Sequence, residues 1–433
     1  MTPQTNEIVG RGNKEGASLF RDWFNGLNET AKRGEGAAYV FVMGSFNEIL
    51  KSFDMPVVFP EINSLQLAVR RAAGDYLNEA EDYGYSPDIC GYVKADIAVQ
   101  LRGGDHPMGQ IPKPAMTVLT NACNTYLKWG EAWERMYEMP MVTIDVPGTR
   151  MAGGQTWEGN QDFANDRSYV KKQIEELIVV CEQVTGKKFD IDKLRDVMGH
   201  TNTVSRCWKE LMDLNMSRPS VFNALTDGTI YLGVANGLRG DKAGADYFER
   251  LVEEMKYKAA NGIGTLTEEE FRLIFVGVPC YPIFRRFNEL FSEWKGTYVH
   301  STYLWFASGG SNTGYQYDLS NPLDSLAEGT LISVRDAMDS MFHHDRVVED
   351  MCKDFAIDGV VYHPIKSCRT VSTGLADGRR AFTERVGIPS LFIESDMMDQ
   401  RVVAEAQMKN RADAFFEGLI NRRLVETDRK SVV

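Results

Sequence analysis

At 433 residues the chain is too long for one ordinary core, so two or three separately buried interiors are expected. Hydrophobic residues make up 43% and charged residues 25%, an average globular composition, and no stretch approaches the roughly 20 apolar residues of a membrane span. A net charge of -13 argues against a nucleic-acid partner, while leaving room for a phosphorylated small molecule held by a few local cations.

The opening MTPQTNEIVGRGNKEGASLF lacks the apolar core of a secretory signal, which points to a reducing cytoplasm. An apolar run follows at 39–43, then a helical stretch from Ser45 and a helix from Ser64, with Ser64 as its N-cap and Gly84 as its stop. Residues 116–120 read as a β-rich run, 126–137 as helix and 141–146 as strand. This alternation predicts βαβ units and a parallel sheet. From about Gln161 to Lys258 the three-to-four spacing of apolar residues predicts an inserted helical domain. Alternation resumes at Arg272 with the strand FRLIFVGVP, a helix from Ile283, a strand at 297–299 and helices from Leu323 and Arg346. Strands at 359–362 and 389–394 and a last helix from Asp399 complete the pattern. The fold class is therefore α/β, divided as 1–160, a helical 161–265 and a second α/β unit at 266–433. No internal sequence repeat is visible, although the two α/β halves are compatible with one topology. The segment 301–321, Gly-rich and aromatic without periodicity, reads as a long functional loop.

Several chemistries lack their motifs. There is no GxxxxGK[ST], no GxGxxG after a strand, no HExxH and no GxSxG, so P-loop ATPase, Rossmann dehydrogenase, zincin and ordinary hydrolase readings have no foundation. The seven cysteines, at 90, 123, 181, 207, 280, 352 and 368, are odd in number and include no CxxC, which excludes a disulfide framework and a zinc ribbon. Ligands of open α/β sheets gather at the carboxyl ends of strands. Cys123, Cys280 and Cys368 each follow a predicted strand, and Cys90 opens a helix behind Pro87 and Asp88. Together these four suit thiolate ligation of a soft metal or cluster. Cys181, Cys207 and Cys352 lie within predicted helices, where a free thiol packs as a small hydrophobe.

The sequences CGYVKADI (90–97), FDIDKLR (189–195), IKSC (365–368) and FIESD (392–396), with the step from Cys90 to Cys123, carry a family likeness. By them the chain resembles the larger catalytic subunits, the B type, of class I benzoyl-CoA reductases, within the 2-hydroxyacyl-CoA dehydratase superfamily. The resemblance spans about Tyr39 to Arg411 and implies two flavodoxin-like domains around a helical one. It implies that Cys90, Cys123 and Cys368 hold one [4Fe-4S] cluster with its fourth iron open, and that Cys280 is not a ligand. It also implies a heterotetramer. The partners would be a smaller homologous cluster-bearing subunit and two ATPase subunits that pass on electrons from ferredoxin, in anaerobic aromatic degradation.

The same resemblance makes Glu61, in VVFPEINS before the first cysteine, the expected proton donor; a solvated loop or capping glutamate is the plainer alternative. Glu48 and His363 are weaker candidates for that role. Lys94 and Lys366 are candidates for steadying anionic thiolates or CoA phosphate, and Tyr303, Trp305, Phe306 and Trp129 for walls around an aromatic ring. Two rival readings remain, a 2-hydroxyacyl-CoA dehydratase subunit and a non-catalytic electron-relay subunit.

Overall fold

Strands buried on both faces read as near-continuous apolar runs, and the central strands here follow that pattern: FRLIFVG at Phe271–Gly277 and GVVYH at Gly359–His363 are buried at every position, broken only by Arg272, which pairs with Glu269, and by His363. A computed structural model describes residues 8–148, 161–335 and 341–431. Its first sheet comprises β1 (Ala37–Val40), β2 (Val57–Val58), β3 (Pro114–Thr120) and β4 (Met141–Ile144), all parallel, in the order β2-β1-β3-β4. The second comprises β5 (Phe271–Gly277), β6 (Gly296–Ser301), β7 (Gly359–His363) and β8 (Ser390–Phe392), again parallel, in the order β6-β5-β7-β8. The two orders are equivalent, so the halves share one flavodoxin-like topology although no internal repeat is visible in the sequence.

Ahead of the first sheet, α1 (Arg11–Lys32) packs on the helical segment that follows that sheet, with Gly16 against Tyr247 and Phe20 against Gly233, and around the sheet itself are α2 (Asn47–Ser52), α3 (Pro60–Val69), α4 (Ala73–Tyr83), α5 (Gly91–Leu101) and α6 (Asn124–Tyr137). Between the sheets run α7 (Gln161–Thr185), α8 (Ile191–Leu214), α9 (Thr226–Gly237) and α10 (Lys242–Ala260). The FDIDKLR motif starts α8: Asp190 is its N-cap and accepts from the N–H groups of Asp192 and Lys193 at 2.9 and 3.2 Å. The second sheet carries α11 (Phe284–Ser292), α12 (Thr302–Phe306), α13 (Pro322–Thr330), α14 (Met341–Asp354), α15 (Arg369–Ser372), α16 (Leu375–Val386) and α17 (Glu405–Ser431). The division expected at 160/161 borders residues outside the described ones.

Two expectations are corrected. The helix expected from Ser64 is two helices: α3 begins after Phe59, and Arg71 turns left-handed (φ 60) so that the Ala72 N–H closes onto Leu67 C=O at 2.8 Å before α4 starts. Ser64 caps nothing and donates to Tyr92 C=O instead, at 3.0 Å. The supposed loop at 301–321 contains α12, capped by Ser301 accepting from the Leu304 N–H at 3.1 Å. Its later part is pinned to α8, where Asn202 exchanges hydrogen bonds with the Tyr317 backbone at 2.9 and 2.7 Å.

Candidate functional site

Glu61 lies in the first turn of α3, where the chain leaves β2. Its carboxylate bridges two other elements: Oε2 accepts from the Val42 N–H just past β1 at 2.9 Å, and Oε1 accepts from the Tyr126 hydroxyl on α6 at 2.8 Å. Both bonds favour the charged form, yet burial outweighs them and pushes the pKa up to about 7. Tyr126 is itself held by stacking on Phe41, with ring centroids 3.8 Å apart.

Three cysteines gather beside this carboxyl. Cys90 caps α5, Cys123 caps α6 after β3, and Cys368 caps α15 after β7, so each sulfur sits at a helix N-terminus. Backbone N–H groups of Val93 and Tyr92 point at the Cys90 sulfur, and that of Val371 at the Cys368 sulfur. Burial first, and then the charges of neighbouring thiols, raise both pKa values, Cys368 to about 12. That mutual repulsion reports the closeness of the trio. The three are partly accessible, whereas Cys181, Cys207, Cys280 and Cys352 are all buried.

The carboxyl ends of the two sheets meet here. The Cys123 sulfur lies 3.3 Å from the Thr370 hydroxyl, and a Cβ on Gly91 would fall 2.7 Å from Cβ of Met398. The FIESD motif supports the Cys368 loop: Asp396 is buried and accepts from the Ser367 N–H at 2.9 Å and from the Met398 N–H at 2.8 Å. Ser367 Oγ, next to Cys368, is buried and has no hydrogen-bond partner among the described residues. Soft thiolate donors at three helix ends, with a spare hydroxyl beside them, fit a sulfide-rich cluster. Among the described residues no three His, Cys, Asp or Glu side chains close on a single metal ion.

Residues 46–419 match the family model described as 2-hydroxyglutaryl-CoA dehydratase, D-component. The chain belongs to that family. It is 31% identical to the B subunit of benzoyl-CoA reductase from Thauera aromatica over 411 residues, covering 92% of both chains. It is also similar to the (R)-2-hydroxyisocaproyl-CoA dehydratase alpha subunit of Clostridioides difficile, at 27% identity over 87% of this chain and 88% of that one. The alpha subunit of (R)-2-hydroxyglutaryl-CoA dehydratase from Acidaminococcus fermentans is 25% identical over 91% and 94%.

Within this dehydratase D-component fold, other expected residues fall in supporting places. His363 is buried and neutral, its pKa lowered to about 4 by burial, with both ring nitrogens engaged by Val278 C=O and the Ser395 hydroxyl at 2.6 Å each. Glu48 is spent in a buried ion pair with Arg239 at 2.7 Å. Lys94 is buried and donates to Glu81 and to Pro87 C=O, both at 2.8 Å, which bolts down the loop before Cys90. Lys366 is exposed and pairs with Glu394 at 3.4 Å. Trp129 belongs to the core, donating to Asp96 at 2.7 Å. Trp305 is partly buried and packs with the second sheet's core, and Phe306 packs edge-on against Tyr303.

Of the expected ring walls, Tyr303 alone joins the site. Its hydroxyl and those of Tyr92 and Tyr281 lie close enough to perturb one another, and all three feel Glu61. The three phenols interact chiefly with one another, and among the described residues the Tyr92 and Tyr281 hydroxyls have no other hydrogen-bond partner, so they form a polar spot at the site. Sequence reasoning missed Tyr92, Tyr281 and Tyr126. Their only signal was position, each standing one to three residues after a strand-end or helix-start cysteine.

Proposed function

We propose that this chain is the cluster-bearing catalytic subunit of an ATP-dependent benzoyl-CoA reductase, which adds two electrons and two protons to benzoyl-CoA to give cyclohexa-1,5-diene-1-carbonyl-CoA. Cys90, Cys123 and Cys368 would hold a [4Fe-4S] cluster, which when bound supplies single electrons at low potential. The observation that carries the reading is Glu61: a carboxyl with a pKa of about 7, beside the thiol trio and facing buried phenols. An acid half-protonated at neutral pH is poised to hydrogen-bond the thioester oxygen or to give a proton to the reduced ring. Tyr126 is a positioning residue that donates to Oε1 and orients the carboxyl. Apolar surroundings keep water from competing for the electron.

The partners in this reading are a smaller homologous cluster-bearing subunit, two ATPase subunits and, behind them, ferredoxin. The family model and two of the relatives above favour a second reading, a 2-hydroxyacyl-CoA dehydratase subunit. ATP use by the assembled complex separates the two. Ring reduction consumes ATP and reductant at every turnover, so diene product is expected to rise in proportion to ATP hydrolysed. Many dehydrations of a 2-hydroxyacyl-CoA per ATP, with no diene from benzoyl-CoA, would instead establish the lyase.

A further inference from the structure

One side chain beside the thiol trio is fixed in place, yet its polar atom serves no other part of the protein. Ser367 stands between the end of β7 and the start of α15, immediately before Cys368. Its N–H is bonded to Asp396 Oδ2 at 2.9 Å, which pins the backbone and leaves the hydroxyl only rotation about χ1. Asp396 does not need that hydroxyl, because its other oxygen already accepts from the N–H groups of Met398 and Asp399 at 2.8 and 3.0 Å. Ser367 is only 9% exposed, and Oγ has no hydrogen-bond partner among the described residues. Other buried serines are paired: Ser52 with Ile49 C=O at 2.7 Å, Ser64 with Tyr92 C=O at 3.0 Å and Ser395 with His363 at 2.6 Å.

Around this hydroxyl stand the cysteines themselves. A Cβ on Gly91 would come within 3.4 Å of Ser367 Oγ, which places the hydroxyl at the start of α5, beside Cys90, as well as beside Cys368. It therefore sits in the seam between two of the three thiols. A second hydroxyl of the same loop reaches the third, for Thr370 Oγ1 lies 3.3 Å from the Cys123 sulfur. A thiolate carries no hydrogen, so between a hydroxyl and a thiolate the hydroxyl must donate. Leaving a buried hydroxyl unpaired is costly, and sulfur acceptors around it remove the cost.

We propose that Ser367 sets the reduction potential of the cluster held by Cys90, Cys123 and Cys368 by donating a hydrogen bond to the sulfur around it, with Thr370 as a weaker second donor. This role rests on the cluster reading above and adds the side chain that tunes it. One added electron is one added negative charge, and a donor aimed at sulfur favours the more negative form, so the hydroxyl raises the potential. Backbone N–H groups at Cys90 and Cys368 come with any helix start, whereas the Ser367 hydroxyl is a donor that a single substitution removes. Thr370 is exposed, so water takes the place of its hydroxyl; Ser367 is buried and has no such substitute.

The test is a reductive titration of the assembled complex, purified without oxygen and followed by EPR, with the signal missing from Cys368→Ser marking this subunit's cluster. Ser367→Ala removes a hydroxyl that bonds to no protein group, so the variant is expected to assemble with its iron complete. Its midpoint is expected to fall, making one-electron reduction about tenfold less favourable, a shift of about 59 mV. Thr370→Val should shift the midpoint by less than half as much. An unchanged midpoint in iron-complete Ser367→Ala, as for a hydroxyl bound only to water, overturns the inference, and so does loss of iron from that variant or a larger shift in Thr370→Val. If Cys368→Ser keeps all its iron and every signal, the cluster reading fails and this inference with it. If the complex dehydrates a 2-hydroxyacyl-CoA and reduces no benzoyl-CoA, the reductase reading fails alone, and the lowered midpoint in Ser367→Ala still upholds the tuning role.

Discussion

A carboxyl whose pKa lies near 7 changes charge within the ordinary working range, and Glu61 is therefore the residue at which pH should speak. Glu61→Gln keeps the shape and a donor but carries no transferable proton. Iron content and benzoyl-CoA affinity are expected to stay near wild type, while turnover falls by about 10²–10⁴-fold. Wild-type kcat should decline as pH rises through about 7, where the acid form is lost, and the Gln variant should show no such decline. Stability carries the same signature. The folded pKa lies above the ordinary 4.5, so the folded chain holds the proton more tightly and loses stability as pH rises from 4.5 to about 7. The cost saturates at up to ~3 kcal/mol above that window, and chemical denaturation of the iron-free chain should show Glu61→Gln escaping it. Glu61 was legible because it stands between a strand and a helix ahead of the first cysteine. Its partner Tyr126 was not, because the two are 65 residues apart and only the β1–β3 pairing brings them together.

At the scale of elements, the helix starts carry the site, and the start of α5 is the most constrained. Gly91 follows Cys90 and has no room for a methyl group against Met398 and the Ser367 hydroxyl. Gly91→Ala should therefore push α5 off the Cys368 loop, at a cost of about 1–3 kcal/mol, with reduced iron per chain as the direct readout. Below the same helix, Lys94 joins Glu81, which Arg401 also holds at 2.7 Å. Lys94→Met leaves that carboxylate short of one partner, and a loss of roughly 3 kcal/mol is expected in denaturant unfolding, the low end for breaking a buried pair. Hydrogen bonds from Arg401 and Lys94 hold the Glu81 pKa down at about 2, so its contribution is present above 4.5 and vanishes as pH falls toward 2. Acid unfolding of Lys94→Met should accordingly begin at higher pH than that of wild type. Periodicity found the strands and most helices to within a few residues. It ran α3 and α4 together because the break at Arg71 is a left-handed turn made by an arginine, with no Gly or Pro to announce it. It left 301–321 unstructured because α12 is a single capped turn, too short to show a period.

Across the whole molecule, two sheets of equivalent strand order face each other through their carboxyl ends. Cys123 follows β3 and Cys368 follows β7, corresponding places in the two sheets, while Cys90 caps the helix leading into β3. No repeat was visible in the sequence, because a parallel sheet demands a pattern of burial rather than particular residues. Buried ties such as Glu48 on α2 with Arg239, in the turn after α9, join the first sheet's helices to the central segment. Cys280 completes the comparison: it follows β5 as a ligand might, yet it is buried, and Ser395 hydrogen-bonds it. The central claim is that the cluster hangs on Cys90, Cys123 and Cys368 across this junction. Iron per chain, measured on anaerobically purified complex carrying Cys90→Ser, Cys123→Ser, Cys368→Ser or Cys280→Ala in turn, tests it most directly. Each of the first three is expected to lose this subunit's iron and its ring reduction, and Cys280→Ala to keep both. Full iron and activity in any of the three serine variants, or loss of iron in Cys280→Ala, would contradict the assignment.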